Sequence, residues 1–287
     1  MKKLGVIGGS GLYEIEGLAE AQTREMETPF GPPSGPLVEG RIGETELVFL
    51  PRHGPGHRLL PNELPFRANL YAMKMLGVDA ILAISAVGSM REDIVPGDLV
   101  VVDQFIDRTR HRPDTFFGDG LVGHVHFADP ICAVLAEMVY EAAQESGAKV
   151  HRGGTYLCME GPQFSTRAES LLYRSWGVTV IGMTNLQEAK LAREAGMSYS
   201  TLALATDYDC WHEEEEDVDV SSVLEVLRKN VETAKTVVRN LAAKIPGSPE
   251  TPYANILEHS LMTPPELVPD EVKRRLDAIL PERYRLL

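Results

Sequence analysis

Short apolar runs of strand length alternate with segments of helical periodicity, and this alternation restricts the chain more than any other feature. Residues 4–7, 47–50, 80–84, 99–102, 178–181 and 199–205 read as buried strands, each a brief apolar run bounded by turn-forming or polar residues. Residues 66–76, 131–144, 167–176, 186–194 and 220–243 read as helices. That order predicts an α/β fold, a single domain with a central mixed, largely parallel β-sheet flanked by helices. At 287 residues the chain can bury a large core. No shift in composition divides it before Ile245-Pro-Gly-Ser-Pro-Glu-Thr-Pro252, which reads as a break. The expected division is a main domain over 1–245 and a tail over 246–287 with a short helical pattern at 270–280.

The net charge of −14 argues against non-specific binding to nucleic acid or to anionic membranes. An anionic substrate would need locally placed Arg, His and backbone N–H groups. The three cysteines, Cys132, Cys158 and Cys210, are far apart in apolar surroundings and form no Cys-x-x-Cys. Reduced, buried thiols are expected, with no metal site, which fits a cytoplasmic setting. The apolar stretch after Met-Lys-Lys is too short for a signal peptide, and no run reaches membrane-spanning length. The charge run at 210–217 reads as a solvated loop before a helix capped by Ser222 with Glu225, or by Asp219.

Several strand ends carry chemistry. Asp207 and Asp209 follow the run at 199–205, and paired carboxylates in an enclosed site suit proton transfer, because burial and mutual repulsion can keep one protonated. An acidic, solvated loop is the competing reading. Gly8-Gly9-Ser10-Gly11 follows the first strand; it is neither the dinucleotide fingerprint nor a P-loop, and reads as an anion loop or a plain tight turn. Arg52-His53-Gly54, with His57 four residues on, can bind an oxyanion or lie at the surface. Ser85-Ala86-Val87-Gly88-Ser89 is a third strand end of small and hydroxylic residues. In Glu160–Glu169, Phe164 can stack on a flat ring, while Ser165 or Thr166 equally suits a helix N-cap with Glu169 nearby. Arg167 and Glu169 read as structural partners as readily as ligands. Val220, Val223, Leu224 and Leu227 form a helical stripe that faces a core or walls a pocket.

With these residues in hand, the chain resembles the purine nucleoside phosphorylase superfamily, in its 5′-methylthioadenosine phosphorylase branch. The motifs are GGSGL (8–12), RHG (52–54), SAVGSMREDIVPGD (85–98), DQFIDRT (103–109), EGPQFSTRAE (160–169), GMT (182–184) and ATDYDCW (205–211), in family order. The resemblance implies that 1–245 is the catalytic domain and that the reaction is reversible phosphorolysis, without a cofactor. Phosphate attacks the anomeric carbon as the purine leaves. By motif, Ser10, Arg52, His53, Ser85 and Ala86 would hold phosphate, Ala86 through its backbone N–H. Met183, with Thr184 beside it, would line the ribose. Phe164 would pack on the base, and Asp207 and Asp209 would meet its N7 and 6-amino edge, one of them protonated.

Two positions choose the branch. The 6-oxopurine enzymes resemble this chain but carry Glu where Ser165 stands and Asn where Asp207 stands. An ionised Asp only accepts hydrogen bonds, which suits a 6-amino group. Val220, Val223 and Leu224 match the apolar wall for a 5′-methylthio group, with His57 near that end, and His124 matches a residue reached across a subunit interface. The resemblance therefore implies a homotrimer or a dimer of trimers, with inorganic phosphate and a purine nucleoside as partners. The unmatched tail is a candidate cover for a neighbour's site. The alternatives are a 6-oxopurine phosphorylase, a nucleosidase and a non-catalytic purine-binding protein. Ser10 and Ser85 stand where Thr is common, and Asn185-Leu186-Gln187-Glu188 lacks the proline many members place before that glutamate.

Overall fold

The computed structural model describes residues 1–9, 11–212 and 220–286, with 220–225 and 227–229 described as backbone only. In chain order the elements are β1 (Lys3–Gly8), β2 (Ala19–Arg24), β3 (Leu37–Ile42), β4 (Thr45–Pro51), α1 (Phe66–Met75), β5 (Ala80–Ser89), β6 (Leu99–Val101) and β7 (Gln104–Arg108). There follow α2 (Ala133–Gln144), β8 (Val150–Arg152), β9 (Thr155–Met159), α3 (Arg167–Ser175), β10 (Val180–Gly182), α4 (Asn185–Glu194), β11 (Ser198–Asp207), α5 (Val220–Lys244) and α6 (Asp270–Arg275).

The strands form one mixed sheet in the order β2-β3-β4-β1-β5-β10-β9-β7, with β11 also pairing β5 and leading through β6 to β8. The pairs β1–β4, β1–β5, β5–β11, β6–β8, β7–β9 and β9–β10 are parallel. The pairs β2–β3, β3–β4, β5–β10 and β6–β11 are antiparallel. The α/β fold with a mixed, largely parallel sheet is thus observed.

Alternate residues of β5 enter opposite cores. Ile81 and Ala83 face α1, α4 and the tail, packing with Leu70, Met73, Leu191, Val272, Leu276 and Leu280. Ala80, Leu82 and Ile84 face α2 and α5, packing with Leu135, Val139, Val238 and Leu241. A strand buried on both faces must be apolar throughout, as the run at 80–84 is. Beyond the break at 245, single-turn helices and α6 bring Leu257, Val268, Ile279 and Tyr284 into the first of these cores.

The reading of 85–89 as the end of a strand needs correction. β1 pairs with β5 only as far as Ile7 opposite Ala83, but β5 runs on to Ser89 because β11 pairs it to Gly88 and β10 pairs Gly88 and Ser89. Ser85 and Ala86 therefore lie on a continuous strand, just where one neighbour leaves it. Such a divergence point is where open α/β sheets form a crevice.

Candidate active site

The crevice is built from the ends of β1, β4, β5 and β11. The Arg52 N–H donates to the Gly8 carbonyl at 2.8 Å, continuing the β1–β4 pairing past its last strand residues. The Arg52 guanidinium then turns inward, donating from Nη1 to the Ile84 carbonyl (2.7 Å) and from Nη2 to the Ile7 carbonyl (3.3 Å). These contacts bring Arg52 together with Gly8, Gly9 and Ser85. Ser10 lies outside the described residues.

Arg52 is no free cation. Its Nε donates to Glu188 Oε1 at 2.5 Å and its Nη2 to Oε2 at 3.1 Å, and the two side chains are 4% and 2% exposed. Burial pulls Arg52 down, but the Glu188 charge and hydrogen bonds outweigh it and raise the guanidinium above its ordinary value. The Glu188 carboxylate also accepts from the Tyr199 hydroxyl (2.9 Å) and from Asn185 Nδ2 (3.3 Å).

His53 follows. Its Nδ1 lies 2.8 Å from the Leu59 carbonyl oxygen, which can only accept, so Nδ1 carries the hydrogen and Nε2 remains. Burial pushes the imidazole down to about 4, and the positive charge of Arg52 adds to this against the Leu59 bond. The ring stacks on His57 at 4.1 Å, and burial and Arg52 lower His57 as well.

Asp207 closes β11. Between Ala205 and Asp207 the register with β5 slips by one residue, so Asp207 pairs with Gly88. A bulge of this kind re-aims the side chain that follows it. A Cβ on Gly88 would lie 2.9 Å from Asp207 Oδ1 and 3.3 Å from Asp209 Cβ, so glycine is what lets both aspartates approach the β5 backbone. Asp207 Oδ1 accepts from the Asp209 N–H (2.8 Å) and Oδ2 from the Thr206 hydroxyl (2.7 Å). Asp209 takes the left-handed region, with φ 53°, which Asp tolerates better than most residues.

Burial pushes both carboxyls above the ordinary value of 3.8. For Asp207 the Thr206 hydroxyl and the Asp209 N–H oppose the rise, while the Asp209 charge adds to it. For Asp209 the Ser170 and Ser165 side chains oppose it. Asp209 Oδ2 is buried and has no hydrogen-bond partner among the described residues. The acidic, solvated loop set against Asp207 and Asp209 does not describe them.

The segments facing this pair come from β9–α3 and β10–α4. Thr166, not Ser165, caps α3: its hydroxyl accepts from the Glu169 N–H (3.2 Å), and Glu169 returns a bond from the Thr166 N–H (2.9 Å). Glu169 is thereby structural, and Arg167 donates to the Cys210 carbonyl. Ser165 is left beside Asp209, with its carbonyl near the Cys210 thiol at 3.3 Å. The Phe164 side chain is exposed.

Met183 is fixed by Arg112, a buried guanidinium that donates to the Met183 carbonyl (2.5 Å) and the Glu160 carbonyl (2.5 Å). Thr184 is buried at the start of α4. The buried Tyr156 hydroxyl explains Gly182, where a Cβ would sit 2.0 Å from that oxygen.

Arg52, His53, His57 and Ser85 therefore gather at one end of the crevice, and Asp207, Asp209 and Ser165 at the other. Met183 is held by Arg112, and Asn185, which follows Thr184, is bonded to Glu188, the partner of Arg52. His124 is not part of this gathering: it is exposed, and its backbone N–H donates to Ser260 in the tail (2.8 Å). The side chains of Val220, Val223 and Leu224 lie outside the described residues, as do Asp219 and the Ser222–Glu225 cap. Glu188, Tyr156 and Arg112 are site residues that the sequence does not mark: Arg112 stands in the polar run Thr109-Arg-His-Arg-Pro-Asp114 and Glu188 in Asn185-Leu-Gln-Glu-Ala-Lys190, where neither charge stands out. Among the described residues no group of His, Cys, Asp and Glu could hold a metal, and no helix is long and apolar enough to cross a membrane.

The family description "Phosphorylase superfamily" matches residues 3–243, and the chain belongs to that superfamily. It is 58% identical over 278 residues to an S-methyl-5′-thioadenosine phosphorylase of Geobacter sulfurreducens, covering 96% of this chain and 97% of that one. The corresponding protein of Gloeobacter violaceus is 54% identical over 283 residues, covering 97% and 95%. In structure the chain is similar to a methylthioadenosine phosphorylase from an Antarctic soil metagenomic library, with a TM-score of 0.94, 46% identity and coverage of 98% and 99%. The Schistosoma mansoni methylthioadenosine phosphorylase solved with adenine gives 0.82 at 40% identity, covering 86% and 93%.

Proposed function

We propose that this protein is a pentosyltransferase that cleaves 5′-methylthioadenosine reversibly with inorganic phosphate, giving adenine and 5-methylthioribose 1-phosphate. The observation that carries the reading is the Asp207–Asp209 pair, Asp209 buried and Asp207 partly so, both lifted in pKa and set one β-strand away from the Arg52–Ser85 cluster. As the glycosidic bond breaks, the purine gains negative charge and the ribose becomes oxocarbenium-like. A carboxyl that keeps its proton to higher pH than an ordinary aspartate stabilises the leaving base by a hydrogen bond or proton to N7. The second carboxylate accepts from the 6-amino group, and Phe164 and Ser165 border the ring.

Phosphate is held at the other end by Ser10, Ser85, the Ala86 N–H, Arg52 and His53. Met183 and Thr184 line the ribose between the two ends. Holding nucleophile and sugar in line converts a bimolecular step into one within the complex. Val220, Val223, Leu224 and His57 wall the 5′ substituent. Asp207 in place of an amide favours adenine over 6-oxopurines. The reading places the enzyme in the cytoplasm as a trimer or a dimer of trimers, with His124 and the tail toward a neighbour's site. Mass in solution tests the assembly.

The decisive assay is chromatography of 5′-methylthioadenosine digests with and without inorganic phosphate. Adenine release that requires phosphate and yields a sugar 1-phosphate is expected. Release without phosphate would make the protein a hydrolase, and release only from inosine or guanosine would overturn the base assignment.

A further inference from the structure

Arg52 carries five N–H groups in a rigid fork. Its Nε–H and one Nη2–H are taken by Glu188, the other Nη2–H by the Ile7 carbonyl, and one Nη1–H by the Ile84 carbonyl. Among the described residues a single Nη1–H is left for an anion. Ile7 and Ile84 immediately precede Gly8 and Ser85, so the same guanidinium staples β1 to β5 at the point where they diverge and the following residues form the anion crevice. A bidentate carboxylate in a buried site also cancels most of the field that the guanidinium would otherwise present.

Glu188 is itself over-determined. The Tyr199 hydroxyl on β11 and the Asn185 amide at the start of α4 both donate to Oε2, and Asn185 Nδ2 lies 2.9 Å from the Tyr199 oxygen. Asn185 directly follows Met183-Thr184. The carboxylate thus locks Arg52 and anchors the segment proposed to line the ribose.

We propose that Glu188 is a positioning residue for the nucleophile: it aims Arg52 so that one Nη1–H faces the phosphate, and it makes phosphate recognition a matter of directed hydrogen bonds rather than of net positive charge. This rests on the phosphorolysis reading above.

The sign of one variant separates direction from charge. Glu188→Gln removes the negative charge but keeps the size and one acceptor. If charge governed the site, the uncompensated Arg52 would bind phosphate more tightly and the phosphate KM would fall. If Glu188 aims Arg52, the phosphate KM rises about tenfold or more, as for loss of a charged hydrogen bond, and the 5′-methylthioadenosine KM moves far less. The residual phosphate KM should also become more dependent on ionic strength than that of the unaltered protein, because Arg52 is no longer compensated. Tyr199→Phe removes one bond to Glu188 without unpairing the charge, and it should raise the phosphate KM in the same direction but less.

A lowered or unchanged phosphate KM in Glu188→Gln would overturn the proposal, as would equal rises in both KM values. Should that variant not fold, an unchanged phosphate KM in Tyr199→Phe would overturn it. If the unaltered protein releases adenine without phosphate, the phosphorolysis reading fails instead, and the two failures are distinguishable.

Discussion

The two ends of the crevice treat buried charge in opposite ways. At the Arg52 end the charges are paired inside the protein: guanidinium and carboxylate meet in two parallel bonds, and two of the three remaining donors go to the Ile7 and Ile84 carbonyls. At the Asp207–Asp209 end two carboxyls lie side by side, Asp209 buried and Asp207 partly so, with hydroxyls and N–H groups and, among the described residues, no cation in the bonds they make, and burial lifts both. The first arrangement is stable without substrate and fixes geometry. The second favours the protonated form of a carboxyl, which is what the proposed role toward the leaving base requires.

The contrast can be broken by mutation. Asp209→Ala, which deletes one member of the carboxyl pair, should lower kcat/KM for 5′-methylthioadenosine by about 10²–10⁴, the range for a lost general acid, with the folded state intact by circular dichroism. Arg52→Met should act on stability, because it strands Glu188 without its cation. Chemical denaturation should show a loss of about 3–5 kcal/mol. Asp207→Asn should cost no comparable stability near neutral pH, since the amide can still accept from the Asp209 N–H and donate to Thr206.

A third buried acid sharpens the pattern. Glu194 lies at the far end of the helix that begins beside Glu188, and it accepts from the Phe116 N–H (2.7 Å) and the Thr115 hydroxyl (2.8 Å). Burial raises it from 4.5 to about 7, against those two bonds and with help from the Asp114 charge. The folded state therefore binds the proton more tightly than the unfolded chain, and this contribution is full below 4.5 and lost as pH rises to about 7. Stability should fall by as much as about 3 kcal/mol across that window, and Glu194→Gln should remove that fall. Denaturation midpoints of both proteins at several pH values check it.

The smallest effect concerns the base. Asp207→Asn should shift the ratio of kcat/KM for 6-amino over 6-oxopurine nucleosides by about ten- to hundredfold toward the 6-oxo compounds, the cost of leaving about 1–3 kcal/mol of buried polar group unpaired. An unchanged ratio would mean that Asp207 does not read the base.

The contrast also marks what the sequence could convey. Strands buried on both faces were legible as apolar runs, and β11 with its terminal aspartates stood out for that reason. β2, Ala-Glu-Ala-Gln-Thr-Arg, is exposed along its whole length and has no apolar pattern to read. β8 is three residues long, and β7 has only Phe105 and Ile106 apolar between Gln104 and Asp107-Arg108. Their strand state is imposed by pairing partners. Asp207 and Asp209 were visible because they are neighbours in sequence. The Arg52–Glu188 pair was not, because 136 residues separate its members and only the fold brings them together. Thr166 and Ser165 were indistinguishable as caps until the backbone chose one.

The most direct measurement of the whole account is the titration of the Asp207–Asp209 pair, by carbon NMR of labelled aspartate with the Asn variants for assignment. The pair should titrate as a coupled unit with at least one apparent pKa above 3.8. Two pKa values at or below 3.8 would mean that neither carboxyl holds a proton for the departing base, and the proposed division of labour between the two ends would be wrong.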